Sequence, residues 1–285
     1  MRVLVAIPHY FRPASGGHGS LAANPGPRVA ALTACVTALH RLFGGPHCLI
    51  DVSHKTTRPA NDDPARGLEV VVCTTRGRHL LADLPVPDGA YSHHPTDCEP
   101  LLLGFECHAA LRDRLVGFDY YCYLEDDLVL HDPWFFRKLA WFTGLAGDGR
   151  LLQPNRYEAG WHPLVRKAYV DGDQHPRATA RYQDVTESPR LAGRALGARV
   201  EFHRARNPHS GCFFLNARQM RQWADRPDFL DRDTGYIGPL ESAASLGVMR
   251  AFAVYKPAPA NADFLEVEHT GRAFLDRIKP AGPPG

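Results

Sequence analysis

Val3 to Ile7, VLVAI, is an unbroken apolar run stopped by Pro8. A strand that is apolar at every position has no face to give to water, so it needs cover on both sides. That requirement narrows the fold to a sheet held between layers of helix. The pattern recurs in CLIDV (48–52), EVVVCT (69–74) and DYYCYL (119–124). Between these runs, Arg28 to Phe43 carry helical periodicity until Gly44-Gly45-Pro46, and Leu101 to Val116 form a second helical stretch. Asp132-Pro133 opens a third, with Asp as N-cap and Pro at the first helical position. Alternating strands and helices predict an α/β fold with a mostly parallel, twisted sheet flanked by helices.

In such sheets ligands bind beyond the carboxyl ends of the strands. Pro8-His9-Tyr10, Asp51 and the acidic triplet Glu125-Asp126-Asp127 all fall at such ends. The triplet is the strongest of the three signals. Adjacent carboxylates repel, and the repulsion raises their pKa values unless a cation offsets it. A solvated turn supplying a helix cap is one explanation, but Asp132 already supplies that cap. The other is a hard-cation site: carboxylates suit magnesium or manganese, which keep waters and bridge phosphate oxygens.

Bulk properties exclude several classes. The formal net charge is +2 and 44% of the 285 residues are hydrophobic, so no global field selects nucleic acid or a membrane surface. No run of about 18 apolar residues is present to span a bilayer. The N-terminal stretch MRVLVAIPHYF lacks a small-residue cleavage site, so it reads as a first strand rather than a secretory signal. Seven widely spaced cysteines with no C-x-x-C argue against a disulfide framework or zinc ribbon and fit a reducing cytoplasm.

The acidic triplet, followed by an apolar residue and a helix opening with Asp-Pro and aromatics, resembles the metal motif (DXD type) of GT-A fold glycosyltransferases. It is similar to the Glu-Asp-Asp version of inverting N-acetylglucosaminyltransferases. VAIPHYFRP resembles the first strand and turn of family 2 glycosyltransferases, commonly Ile-Pro-x-Tyr-Asn-Arg, with Phe11 in place of the Asn. The order of elements agrees to about Phe142. Beyond it, NPHSGCFFLN, GPLESAASLG and His269 continue the likeness. The resemblance implies a Rossmann-like GT-A domain over 1–275, with a nucleotide-sugar half (1–130), an acceptor half (131–275) and a flexible tail (276–285).

It also implies roles. Asp127 coordinates Mn2+ or Mg2+, joined by His269 late in the chain. Glu125 and Asp126 face the ribose. Pro8, His9 and Tyr10 line the base and ribose pocket, and Asp51 accepts from the base. Arg12 and Arg76 meet the diphosphate, since a guanidinium fork suits phosphate oxygens. Glu241, at the start of the helix LESAASLGV, is the base that takes the acceptor's proton; Asp231 and Asp233 are its rivals, and an anion favoured by a helix's first turn is the plainer account of it. His209, Ser210 and Gly211 contact the acceptor, Gly211 by lacking a Cβ. The expected activity is transfer of a hexosyl or N-acetylhexosaminyl group. The expected partners are a nucleotide-diphosphate sugar, with a UDP-sugar favoured, and an acceptor bearing a free hydroxyl; a homodimer stays open.

Residues Asn155 to Pro208 carry weak periodicity and read as a loop-rich acceptor lobe. Its arginines face either an anionic acceptor or plain solvent. His93-His94 and Asp97 fit no tetrahedral zinc spacing and read as a solvated loop. Two other functions stay open. Sugar-phosphate nucleotidyl transfer uses a similar sheet with a Gly-rich phosphate loop, of which Gly16-Gly17-His18-Gly19 is a version without the Lys. A nucleotide- or glycan-binding protein would use the same scaffold without turnover.

Overall fold

Val3 to Ile7 are wholly removed from water, as their sequence requires. The computed structural model describes residues 1–14 and 19–279. Its strands begin with β1 (Arg2–Pro8), β2 (His47–Asp51), β3 (Thr56–Ala60), β4 (Gly67–Thr75), β5 (Ser92–Thr96), β6 (Tyr120–Leu124), β7 (Leu128–Val129) and β8 (Arg150–Leu152). They continue with β9 (Asn155–Ala159), β10 (Lys167–Tyr169), β11 (Arg190–Ala195), β12 (Ala198–Arg204), β13 (Cys212–Asn216), β14 (Ala253–Pro257) and β15 (Glu266–His269). The helices are α1 (Gly26–Phe43), α2 (Leu103–Arg112), α3 (Phe135–Ala146), α4 (Ala217–Ala224) and α5 (Pro239–Ala251).

The central sheet runs β13-β6-β1-β4-β5. β1 is parallel to both β4 and β6, β4 is parallel to β5, and only β13 is reversed. Alternate side chains of β1 serve opposite faces. Val3, Val5 and Ile7 pack with Leu32, Val36 and Leu39 of α1 and with Phe135 and Phe136 of α3. Leu4 and Ala6 pack with Leu103 and Leu111 of α2, Trp223 of α4 and Val248 of α5. This is the expected mixed α/β arrangement, with helices on both faces.

Beside the two-stranded β2-β3 sheet there are two four-stranded sheets, β11-β12-β14-β8 and β10-β9-β15-β7. The second matters for function. β7 begins immediately after Asp127, and antiparallel pairing sets His269 of β15 opposite Leu128 of β7. A residue from late in the chain is thereby brought to the end of β6.

Three local expectations need correction. CLIDV does not enter the central sheet: β2 pairs only with β3, leaving Leu49, Ile50 and Val52 exposed. The turn after it is short, and Asp51 Oδ1 accepts from the His54 N–H at 3.1 Å. A hairpin closes at once, whereas a parallel partner of β1 needs a crossover. The polar stretch with His93 and His94 is the edge strand β5, registered on Val72 and Cys73. Asp132 caps a turn rather than the helix itself. Its Oδ1 accepts from Trp134 N at 2.8 Å, and α3 starts only at Phe135. The 155–208 segment is loop-rich as expected, with four short strands, β9 to β12, set into it, and Arg199 of the β11–β12 hairpin pairs with Glu201.

The Gly16–His18 part of the glycine-rich stretch and residues 280–285 lie outside the described residues. Of the expected tail, Asp276 and Arg277 sit in a short 3-10 turn, and Asp276 pairs with Arg272. No helix of the described residues is long and apolar enough to cross a membrane. All seven cysteines are free; Cys48 is exposed and Cys98 partly so, while the other five are buried.

Candidate functional site

β6 is fully buried and stops at Leu124, so the next three residues leave the sheet at its carboxyl edge. Each carboxylate meets a different environment. Asp126 is the deepest, at 1% exposure. Its Oδ2 lies 2.5 Å from His9 Nδ1, and its Oδ1 is bonded by Arg28. The other nitrogen of His9, Nε2, accepts from the Leu80 N–H at 3.1 Å. The ring therefore carries its proton on Nδ1 and donates it to Asp126. Burial alone would push the Asp126 carboxyl up, but the Arg28 charge and the His9 hydrogen bond outweigh it and hold it down.

Asp127 is more open. Its Oδ2 accepts from Arg28 Nη1 at 2.9 Å and lies 3.8 Å from His269 Nε2. Its Oδ1 is buried and has no hydrogen-bond partner among the described residues. Its carbonyl accepts from Thr270 N at 2.8 Å, fixing the segment that follows His269. The His269 ring is oriented from behind: Nδ1 lies 2.9 Å from Oε1 of the fully buried Glu158. The other Glu158 oxygen accepts from Phe274 N at 2.9 Å and Leu275 N at 2.6 Å. One carboxylate thus orients the imidazole and clamps the loop after it, leaving Nε2 facing Asp127.

Glu125 turns the other way. Desolvation, then the Asp127 charge, pushes its carboxyl up to about 8, although Arg156 opposes this from 3.7 Å. Its carboxylate rests against Gly211. That glycine has φ +64°, and a Cβ there would come within 2.5 Å of Glu125 Oε2. The space that Gly211 leaves open is therefore taken by Glu125, not by an acceptor sugar. Ser210 has no exposed surface and donates to the Pro154 carbonyl at 2.8 Å. His209 is also buried, 3.3 Å from Ser245 Oγ, and burial lowers its pKa to about 3. The three residues expected to touch the acceptor form the wall behind Glu125.

Behind that wall lies an ion network. Arg156 bonds Asp171 at 2.8 Å, Lys256 lies 3.6 Å from Asp171, and the Lys256 ammonium donates to the His209 carbonyl at 2.5 Å. Glu241, in the first turn of α5, is half-buried. It is one helical turn before Ser245 and so shares the face that meets His209. Its rivals are committed elsewhere: Asp231 and Asp233 both pair with Arg250.

Of the remaining expectations, Pro8 ends β1 and Tyr10 packs partly buried near β6. Arg12 is exposed. Arg76 leaves β4 with φ +53° and pairs with Glu99 on the surface. Asp51 lies in the exposed hairpin, 2.9 Å from His54 Nδ1, a bond that lowers its pKa. Asp51 therefore does not join the cluster.

Five residues that complete the cluster went unread in the sequence: Arg28, Arg156, Glu158, Asp171 and Lys256. Two carried a usable signal. Arg28 is a cation in the first turn of a helix, where the macrodipole disfavours it. Lys256 directly follows the apolar run AFAVY and continues its strand, where an ammonium needs a buried partner. Arg156, Glu158 and Asp171 fall in a stretch without clear periodicity.

No protein-family model and no curated protein matches the chain. Among solved structures it aligns with the apo form of mouse xyloside xylosyltransferase 1, with 11% identity and a TM-score of 0.42, over 96% of this chain and 98% of that one. It also aligns with mannose-1-phosphate geranyltransferase from Thermus thermophilus, with 14% identity and a TM-score of 0.39, over 90% of this chain and 73% of that one.

Proposed function

We propose that the chain is a cation-dependent glycosyltransferase of GT-A type, moving a sugar from a nucleotide diphosphate, with UDP favoured, to an acceptor hydroxyl. One observation carries the reading: Asp127 and His269 face each other at the carboxyl end of β6, with the imidazole oriented by buried Glu158. Among the described residues no three His, Cys, Asp or Glu side chains form a metal cage. A small hard cation shared with phosphate oxygens needs only one or two protein ligands. The bare Oδ1 of Asp127 and the open Nε2 of His269 are the right donor types for manganese or magnesium.

Asp127 and His269 would hold the ion. When bound, it neutralises charge on the leaving nucleoside diphosphate as a Lewis acid. The protein's own residues do the rest. Asp126, fixed by His9 and Arg28, sets the turn that presents Asp127. Glu158 keeps the His269 proton on Nδ1 and holds the 270–275 loop in place. Glu241 takes the proton from the acceptor hydroxyl as that oxygen attacks the anomeric carbon on the face opposite the departing nucleoside diphosphate, a single displacement that inverts the configuration. Phe274, whose ring centroid is 5.8 Å from that of His269, and exposed Trp161, whose carbonyl accepts from Arg272 of the same loop, offer ring faces to a sugar.

The test is calorimetry and donor hydrolysis with a panel of nucleotide sugars, with and without manganese. Cation-dependent binding of one nucleotide class is expected, and no cation-dependent binding to any donor overturns the proposal. Glu241→Gln should retain donor binding and lose transfer; equal loss of both would remove Glu241 from the role of base.

A further inference from the structure

The acidic pair already has a cation of its own. The Arg28 guanidinium reaches Asp126 through Nη2 and Asp127 through Nη1, in one fork. The two attachments differ. Both Asp126 oxygens are engaged, by His9 and by Arg28, and its side chain is almost wholly buried. Asp127 gives Arg28 only Oδ2, keeps Oδ1 bare, and is 22% exposed. An ion entering from solvent therefore meets Asp127, and it meets a carboxylate that Arg28 already holds.

We infer that Arg28 is a resident counter-cation that a divalent ion displaces from Asp127, and that the displaced guanidinium then engages the donor's diphosphate. This rests on the reading above that Asp127 holds the ion. Two features of Arg28 support it. Its Nε is buried and has no hydrogen-bond partner among the described residues, so one donor is in reserve. It also sits in the first turn of α1, which contains no acidic residue. The positive end of the helix dipole favours an anion there.

Charge balance gives the same order of events. His9 contributes no net charge, because Nε2 accepts from Leu80, and Glu125 turns away from the Arg28 fork, against Gly211 and towards Arg156. Asp126, Asp127 and Arg28 together leave one negative charge. A dication alone turns this into one positive charge beside a helix N-terminus, which is unfavourable. The two negative charges of a bridging diphosphate restore the starting balance. Cation and diphosphate should therefore bind together, with Arg28 as the coupling residue.

The experiment is calorimetric titration of manganese into the chain, with and without UDP, for the wild type, Arg28→Gln and Arg28→Lys. Arg28→Gln should bind manganese alone about fivefold or more tightly than wild type, and lose a similar factor from the gain that UDP confers. Arg28→Lys should fall between the two. Equal or weaker binding of manganese alone by folded Arg28→Gln overturns the inference. If that variant does not fold, the Arg28 Nε–H resonance of the wild type decides. It should shift on adding magnesium and again on adding UDP, and an unmoved signal overturns the inference. Wild type that binds no manganese, with or without UDP, overturns the proposed function as well; normal wild-type binding with an unchanged variant removes only the role of Arg28.

Discussion

Two apolar runs in this chain lead into carboxylates, and the fold uses them in opposite ways. YYCYL is buried between β1 and β13, and it delivers Asp126 and Asp127 to a crowded edge. CLI leads to Asp51 in a two-stranded hairpin where Ile50 is 74% exposed. Asp126 takes a buried histidine and an arginine from distant elements. Asp51 takes a histidine three residues away, in solvent. The difference shows that a carboxylate at a strand end becomes part of a site through the neighbours of its strand. The local sequence around it does not decide this.

The largest effect expected is on folding. Asp126→Ala leaves Arg28 and His9 facing each other without their carboxylate, and breaking a buried pair in this way costs about 3–5 kcal/mol. Urea unfolding measures it. Asp127→Ala should cost little stability but reduce transfer roughly 10²- to 10³-fold, the usual scale for removing a group that stabilises developing charge. A steady-state assay with saturating manganese checks this, and an active variant would remove Asp127 from the ion's ligands. Gly211→Ala should destabilise by roughly 1–3 kcal/mol, because the new methyl group meets Glu125 in a left-handed backbone conformation.

A smaller effect separates two buried histidines. His9 is bound to a carboxylate, whereas His108 sits among Phe105, Tyr123, Phe213 and Trp223 and donates from Nε2 to the Ala243 carbonyl at 2.9 Å. Burial lowers the His108 pKa from 6.5 to about 4. Between these values the unfolded chain binds a proton that the folded chain refuses. Stability from this group is therefore complete above about pH 6.5 and declines as pH falls towards 4, by up to about 1.4 kcal/mol per pH unit. His108→Gln, which can still donate to Ala243, should flatten that slope in urea melts at pH 6.5, 5.5 and 4.5. The smallest effect is Asp51→Asn, which should leave stability within about 0.5 kcal/mol and transfer unchanged. A large loss of transfer in Asp51→Asn would break the comparison.

The central sheet was legible because burial on both faces leaves a local mark: VLVAI, EVVVC and YYCYL contain no polar residue to face water, apart from the leading Glu69. β5 was not legible, since an edge strand reading SHHPT needs cover on only one side. The hairpin β2–β3 was misread because a short apolar run does not reveal which strands already flank β1. In the candidate site, His9, Asp126 and Asp127 could be named from their positions near strand ends, and His269 only from the resemblance to GT-A glycosyltransferases.

The amino-acid order alone determined which segments must be buried and that three carboxylates leave the sheet together, because periodicity and like-charge repulsion act between neighbours in the chain. Which carboxylate is sealed and which stays open was decided only in three dimensions. Arg28 arrives from α1, Glu158 and His269 from the β10-β9-β15-β7 sheet, and Gly211 from the turn that leads into the reversed strand β13. Coulomb energy and desolvation depend on distance through space, and only the folded chain sets those distances.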